Sequence, residues 1–355
     1  MTTKTNRLRG SVNRPTMRRS KAYARAGVDV DLGNRLKRGI QSLVRQTHGP
    51  EVLGTVGGFG GLFAPNFRGM REPVLVASID GVGTKLKIAF AMNKHDSVGA
   101  DLVNHCVNDI AVLGARPLFF LDYIGAAKLE SRVFFELLRG FSRACRRAKC
   151  ALIGGETAQM PGMYKSGEYD LAGCIIGVVE GKGIIDGHRI TRGDAILGLS
   201  SNGLHTNGYS LARKVLFERL RLKLSSRIPG LPRPLGEELL RVHKNYQPLL
   251  ARLPRGMVRG LAHITGGGLV DNLPRVLPKN CDAVIDTDSW RPPPIFQFIA
   301  EKGNIDRAEM YQVFNMGIGM AVIVSDRDVT KVKKILRARV IGRIERGSGK
   351  TVLTS

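Results

Sequence analysis

Pro73-Val74-Leu75-Val76-Ala77-Ser78-Ile79-Asp80-Gly81-Val82-Gly83-Thr84-Lys85 joins a short apolar run to a polar loop punctuated by glycine. Residues 73–79 read as a strand. A carboxylate, a glycine turn, a hydroxyl and a lysine follow within six residues. Such a set can hold a metal ion and a phosphate together, although Asp-Gly also marks ordinary turns. Working outward, residues 118–124, 151–154 and 171–179 read as further strands. Residues 99–113 and 133–144 carry apolar side chains at helical spacing, Leu102, Val103, Cys106, Val107 and Ile110 in the first. A second block opens near Gly193 with a strand at 195–199 and a helix at 209–220. A basic, proline-dotted stretch (225–234) and helices come next, then strands at 283–286 and 317–324 and a Lys/Arg-rich helix at 329–339. The pattern predicts an α/β (α+β) chain of two domains, 23–188 and 189–355, behind a basic tail at 1–22 read as disordered.

Composition bounds the function. The chain has 355 residues, 43% of them apolar, enough for two cores and too apolar for a wholly disordered protein. No run of about 18 apolar residues exists, so no membrane partner is expected. Five cysteines without CxxC spacing form neither a disulfide framework nor a zinc ribbon, which fits a reducing, cytoplasmic setting. The net charge of +25 is dispersed: residues 1–28 hold eight basic side chains and no acid, and residues 213–259 hold twelve against three. The excess favours polyanions, phosphorylated metabolites included. No zinc-finger, RNP-like or basic-heptad pattern accompanies it, so no specific nucleic-acid partner is expected.

Several glycine and acid clusters can carry chemistry. Residues 54–61 hold five glycines in eight positions, Gly57, Gly58, Gly60 and Gly61 among them. Such a loop lets backbone N–H groups converge on phosphate oxygens; the alternative is a flexible surface loop. Asp109 sits on a mostly apolar helix, where an unpaired carboxylate is costly to bury. Glu156 follows a strand in GGETA, and Asp80, Asp109 and Glu156 together suit Mg²⁺, which takes a few carboxylates plus phosphate oxygens. In the second block, 200–209 (SSNGLHTNGY) leads from a strand into a helix and offers an anion site. His263-Ile264-Thr265-Gly266-Gly267-Gly268 is a second candidate, and His205 and His263 are possible proton shuttles or structural histidines. Gly347-Ser348-Gly349-Lys350-Thr351 mimics a Walker A ending, but Ile344 occupies the first glycine position and four residues remain, so it reads as a C-terminal tail.

The ordered set DGVGTK (80–85), the run from Asp109 to Pro117, GGETAQMPGMY (154–164), 200–209, HITGGG (263–268) and EMYQVFNMGIGM (309–320) resembles the phosphoribosylformylglycinamidine cyclo-ligase family of purine biosynthesis. The likeness runs from Tyr23 nearly to the C-terminus. The resemblance implies an N-terminal ATP-binding domain whose sheet forms a homodimer, and a C-terminal α/β domain. It implies ATP-dependent ring closure of formylglycinamidine ribonucleotide to 5-aminoimidazole ribonucleotide, with ADP and phosphate as co-products. Asp80 and Asp109 match positions expected to hold Mg²⁺, with Glu156 third. Lys85 would face the ATP phosphates and Gly57–Gly61 would close over them. Gly81, Gly83, Thr84, Gly114, Thr265, Gly266 and Gly267 are implied ligand contacts, and His205 and His263 join the catalytic set.

Two departures stand out: Gln159 where the family often has Glu, and Gln312 where Arg is common. A selenophosphate synthetase would want Cys or selenocysteine near the glycine loop, whereas the first cysteine is Cys106. A hydrogenase-maturation homologue would end in a cysteine-bearing tail, unlike Val352-Leu353-Thr354-Ser355. A thiamin-phosphate kinase would lack GGETAQMPGMY.

Overall fold

The computed structural model describes residues 39–54, 57–128 and 130–355; the expected tail at 1–22 and the stretch from Tyr23 to residue 38 lie outside them. Two short strands, β1 (Val52–Leu53) and β2 (Leu62–Phe63), flank the glycine loop as an antiparallel pair. The first large sheet contains β3 (Pro73–Gly81), β4 (Arg116–Ala126), β5 (Ala151–Gln159) and β6 (Tyr169–Glu180), in the order β3-β6-β4-β5. Only β4 and β5 run parallel, and the helix Ser131–Ala148 makes their crossover.

Exposure alternates along β3 because strand side chains point to opposite faces in turn. Val74, Val76, Ser78 and Asp80 face the helical layer, while Leu75 and Ile79 stand 62% and 72% exposed on the other face. The helix Asp96–Ala111 covers the inner face. Thirteen of its sixteen residues are buried, so it is an internal helix rather than an amphipathic surface one. It approaches Ser131–Ala148 through two glycines. A Cβ on Gly140 would lie 2.2 Å from the Asp96 carbonyl oxygen, and one on Gly99 2.5 Å from that of Leu137.

The second sheet has six strands: β7 (Ala195–Ser200), β8 (Val258–His263), β9 (Cys281–Asp286), β10 (Ile318–Val324), β11 (Arg339–Arg346) and β12 (Thr351–Thr354). Their order is β12-β9-β11-β7-β10-β8. β10 is antiparallel to both β7 and β8, so those two point the same way and their following loops emerge side by side.

The expected strands and helices form at their predicted places, with three corrections. β8 lies within the segment read as helical, because VRGLAH is too short to betray its period. The basic helix stops at Leu336, Arg337 adopts a left-handed conformation, and β11 begins at Arg339. The tail is not a tail. The Asp282 carboxylate accepts the Ser348 and Lys350 N–H groups (2.7 and 2.8 Å), turning the chain so that β12 pairs in parallel with β9.

Candidate active site

Five polar residues form a stripe on the mostly apolar helix Asp96–Ala111: Asp101, Asn104, His105, Asn108 and Asp109. Spacings of four and three put them on one face, and that face meets the second sheet. Asp80 comes from β3, His263 from the end of β8, and His205 and Thr206 from the loop after β7. His243 and Tyr246 lie on the segment between the helices Leu235–Leu239 and Gln247–Leu250.

A continuous chain of contacts links the two carboxylates. Asp80 Oδ2 lies 2.9 Å from His105 Nε2, and His105 Nδ1 lies 2.8 Å from Thr206 Oγ1. Thr206 Oγ1 is 3.2 Å from His243 Nδ1, and His243 Nε2 is 3.0 Å from His263 Nε2. His263 Nδ1 closes the chain on Asp109 Oδ1 at 2.8 Å. Asp109 Oδ2 also accepts the Ser78 hydroxyl at 3.3 Å.

These five contacts need five protons, but three neutral imidazoles and one hydroxyl supply four. Of the three imidazoles, the surroundings favour the charged form at His105. Burial pushes its pKa down, but the Asp80 hydrogen bond and the charges of Asp109, Asp80 and Asp101 outweigh burial and raise it. Burial, reinforced by neighbouring cations, holds His205 and His243 well below the usual histidine value; His263 is lowered mainly by burial. Burial raises the Asp80 carboxyl, yet the His105 hydrogen bond and charge and the Gly81 N–H bring it below its ordinary value.

Lys85 is not placed for phosphates. Its ammonium is fully buried, 2.7 Å from Asp101 Oδ2, and donates to the carbonyls of His205 (3.0 Å) and Arg241 (2.7 Å). Three acceptors match its three donors, so it is fully engaged in clamping the two domains. Burial drives the Lys85 pKa down and the Asp101 pKa up; each is the other's compensating charge.

Glu156 is also elsewhere. Asp80, Gly173, Asp122 and Gly155 form one row across β3, β6, β4 and β5, so Glu156 falls on the next row and the opposite face. The two acids are at least three strand spacings apart, roughly 14 Å. Glu156 is exposed, and Oε1 accepts the Thr157 N–H at 2.8 Å. Gly61 packs against Ile153, where a Cβ would lie 2.7 Å from the carbonyl oxygen, so the glycine loop sits at this same β5 edge.

The chain has two matching family models, "AIR synthase related protein, N-terminal domain" over residues 68–179 and its C-terminal counterpart over 191–354. A phosphoribosylformylglycinamidine cyclo-ligase of Syntrophotalea carbinolica is 54% identical over 311 residues, covering 87% of this chain and 89% of the relative. The enzyme of that name from Alkaliphilus metalliredigens is 49% identical, covering 93% and 97%. The chain belongs to the phosphoribosylformylglycinamidine cyclo-ligase family. The fold extends beyond it. A thiamine-monophosphate kinase from Stenotrophomonas maltophilia superposes with a TM-score of 0.65 at 19% identity, covering 89% of this chain and 94% of its own. Hydrogenase maturation protein HypE in complex with ATP gives 0.64 at 17%, covering 90% of each chain.

Other family-implied positions have identifiable local roles. Gly83 has φ +66° as the first residue of the short turn Gly83–Lys85, and Thr84 Oγ1 lies 3.0 Å from Ser210 Oγ. Gly114 has φ +81° in the turn into β4, and a Cβ there would meet the Gly183 carbonyl oxygen at 2.8 Å. Asn272 holds the 265–268 loop: it accepts from Thr265 Oγ1 (3.3 Å) and donates to the carbonyls of Gly266 and Gly268 (3.1 and 2.8 Å). Gly267 there has φ +94°. His205 stacks on His243 with centroids 4.1 Å apart, and its Nδ1 is buried without a hydrogen-bond partner. His105, His243, Thr206 and Asp101 were not foreseen as site residues. The i, i+4, i+8 run Asp101, His105, Asp109 on an apolar helix was the available signal.

Proposed function

We propose that the chain uses ATP to close the imidazole ring of formylglycinamidine ribonucleotide, releasing 5-aminoimidazole ribonucleotide, ADP and phosphate, as a cytoplasmic homodimer with 23–188 as its ATP-binding domain and 189–355 as the second domain. Family membership supports the reaction. The observation that carries the siting is the Asp80-to-Asp109 chain, which brings both domains' polar loops to one place. Phosphorylating the formyl oxygen turns a poor leaving group into a good one, and catalysis is then positioning and charge neutralisation. Asp80 and Asp109 are the residues that would hold Mg²⁺, which would supply that neutralisation when bound. His263, backed by Asp109, is the group for the proton lost from the attacking amidine nitrogen, and the unpartnered His205 Nδ1 is a donor for the ligand.

The homodimer reading rests on the open face of the first sheet. Leu75, Ile79, Ile176, Phe119 and Leu121 all lie on it; Phe63 of β2 packs on Phe119 with ring centroids 5.2 Å apart, while Leu75 and Ile79 remain an exposed apolar surface. One copy also separates the glycine loop and Glu156 from Asp80, and a second copy on that face is the arrangement that can reunite them.

ADP release with Mg-ATP, with and without formylglycinamidine ribonucleotide, tests the proposal alongside colorimetric detection of the aminoimidazole. Both products should appear together and only with that substrate; ADP release independent of it, or none from folded protein, refutes the reading. Asp109→Asn should abolish turnover with the fold intact.

A further inference from the structure

We propose that His105, Asp109 and His263 form, in the nucleotide-free protein, a binding site for one first-row transition-metal dication, with Zn²⁺ as the reference ion. A ligand atom from each of the three lies within 4.8 Å of the other two. Zinc sits about 2.0–2.2 Å from nitrogen and oxygen donors, so neighbouring tetrahedral ligands are roughly 3.4 Å apart. The His263–Asp109 pair, at 2.8 Å, need only spread slightly to admit the ion.

Donor chemistry chooses the metal. Two imidazoles with one carboxylate suit zinc, iron or cobalt, whereas Mg²⁺ prefers oxygen ligands and water. The outer shell is also in place. The far nitrogen of His105 rests on Thr206 Oγ1, and that of His263 rests on His243 Nε2, leaving His105 Nε2 and His263 Nδ1 turned toward the carboxylates. Outer-shell partners of this kind fix ring orientation in metal sites.

One consequence rests on the function proposed above: Asp109 is also a carboxylate assigned to the ATP cation, so this ion and Mg-ATP exclude one another.

The test uses full-length, chelator-stripped protein without nucleotide. Zn²⁺ titrated against a chromogenic chelator should bind at one equivalent per chain, and Co²⁺ should give the intense visible bands of a four-coordinate site. His105→Asn and His263→Asn should each weaken binding by about 100-fold or more, and Thr206→Val, outside the ligand set, by about 10-fold. Circular dichroism confirms that the variants fold, and Thr206→Val keeps the test alive should a histidine variant not. Absence of stoichiometric binding overturns the proposal, as does Co²⁺ absorption unchanged by these substitutions, or displacement by equimolar Mg²⁺. One equivalent of Zn²⁺ should also stop substrate-dependent ADP release. Bound Zn²⁺ with undiminished release overturns the exclusion, whereas a metal-free protein that never releases ADP refutes the function and leaves the metal result standing.

Discussion

Asp122 should make the protein less stable as pH rises, and replacing it with asparagine should remove the effect. Its side chain points to the helical face of β4, is buried, and forms no ion pair among the described residues. Burial pushes its pKa from 3.8 up to about 7. In the unfolded chain the carboxyl loses its proton near pH 4, so between about pH 4 and 7 the folded state binds more protons than the unfolded one. The stability contributed by the protonated form is therefore complete below pH 4 and lost as pH climbs through 7. The rise from 3.8 to about 7 corresponds to about 4 kcal/mol, since each tenfold change in proton affinity is worth about 1.4 kcal/mol. Asparagine has nearly the shape of the protonated acid and carries no charge at any pH. Asp122→Asn should match the parent near pH 4 and exceed it by about 4 kcal/mol at pH 8. Urea unfolding of both proteins across that range, at one protein concentration, measures the difference. A gap that stays constant with pH, or an asparagine variant that is less stable at pH 8, would refute the reasoning.

Three further outcomes follow from the packing. Lys85→Met strands the Asp101 carboxylate in the domain junction and should cost about 3–5 kcal/mol in chemical denaturation, most of it recovered by adding Asp101→Leu. Gly140→Ala replaces a poor helix former, which alone would stabilise by about 1 kcal/mol, but its Cβ meets the Asp96 carbonyl oxygen at 2.2 Å. Net destabilisation of about 1–3 kcal/mol is expected, read as a lower melting temperature, and a gain would show that the helices do not approach this closely. The pair Leu75→Glu and Ile79→Glu should convert the proposed homodimer to monomers in sedimentation; a persistent dimer would move the interface off the open sheet face.

The first sheet was legible because its strands are bounded by clear breaks and its two helices keep their period. Residues 73–79 and 171–177 alternate cleanly once one face is covered. The second domain was less so. β8 carries Arg259 and Gly260 inside six residues, and its strand character comes from pairing with β10 rather than from its own pattern. β12 depends on the Asp282 carboxylate gathering the Ser348 and Lys350 N–H groups, a contact across 66 to 68 positions that no local rule reports.

The site divides along a similar line. Motif reading found Asp80, Asp109 and His263, because Asp80 opens a glycine turn, Asp109 is a carboxylate on a mostly apolar helix, and His263 leads into a glycine-rich loop. It missed the links between them, and it misassigned Lys85 for one physical reason. A lysine after a glycine turn looks solvent-facing until a second domain supplies two carbonyls and the helix supplies Asp101. His243 illustrates the same limit, since its segment 241–246 has no motif and its role exists only where Asp101 Oδ1 accepts its N–H at 2.6 Å. The chain from Asp80 to Asp109 passes twice between domains, so its proton count is a property of their docking and not of either domain. Any change that parts the domains would therefore release the extra charge on His105 and loosen both carboxylates together, which ties the chemistry of the site to the integrity of the Lys85 clamp.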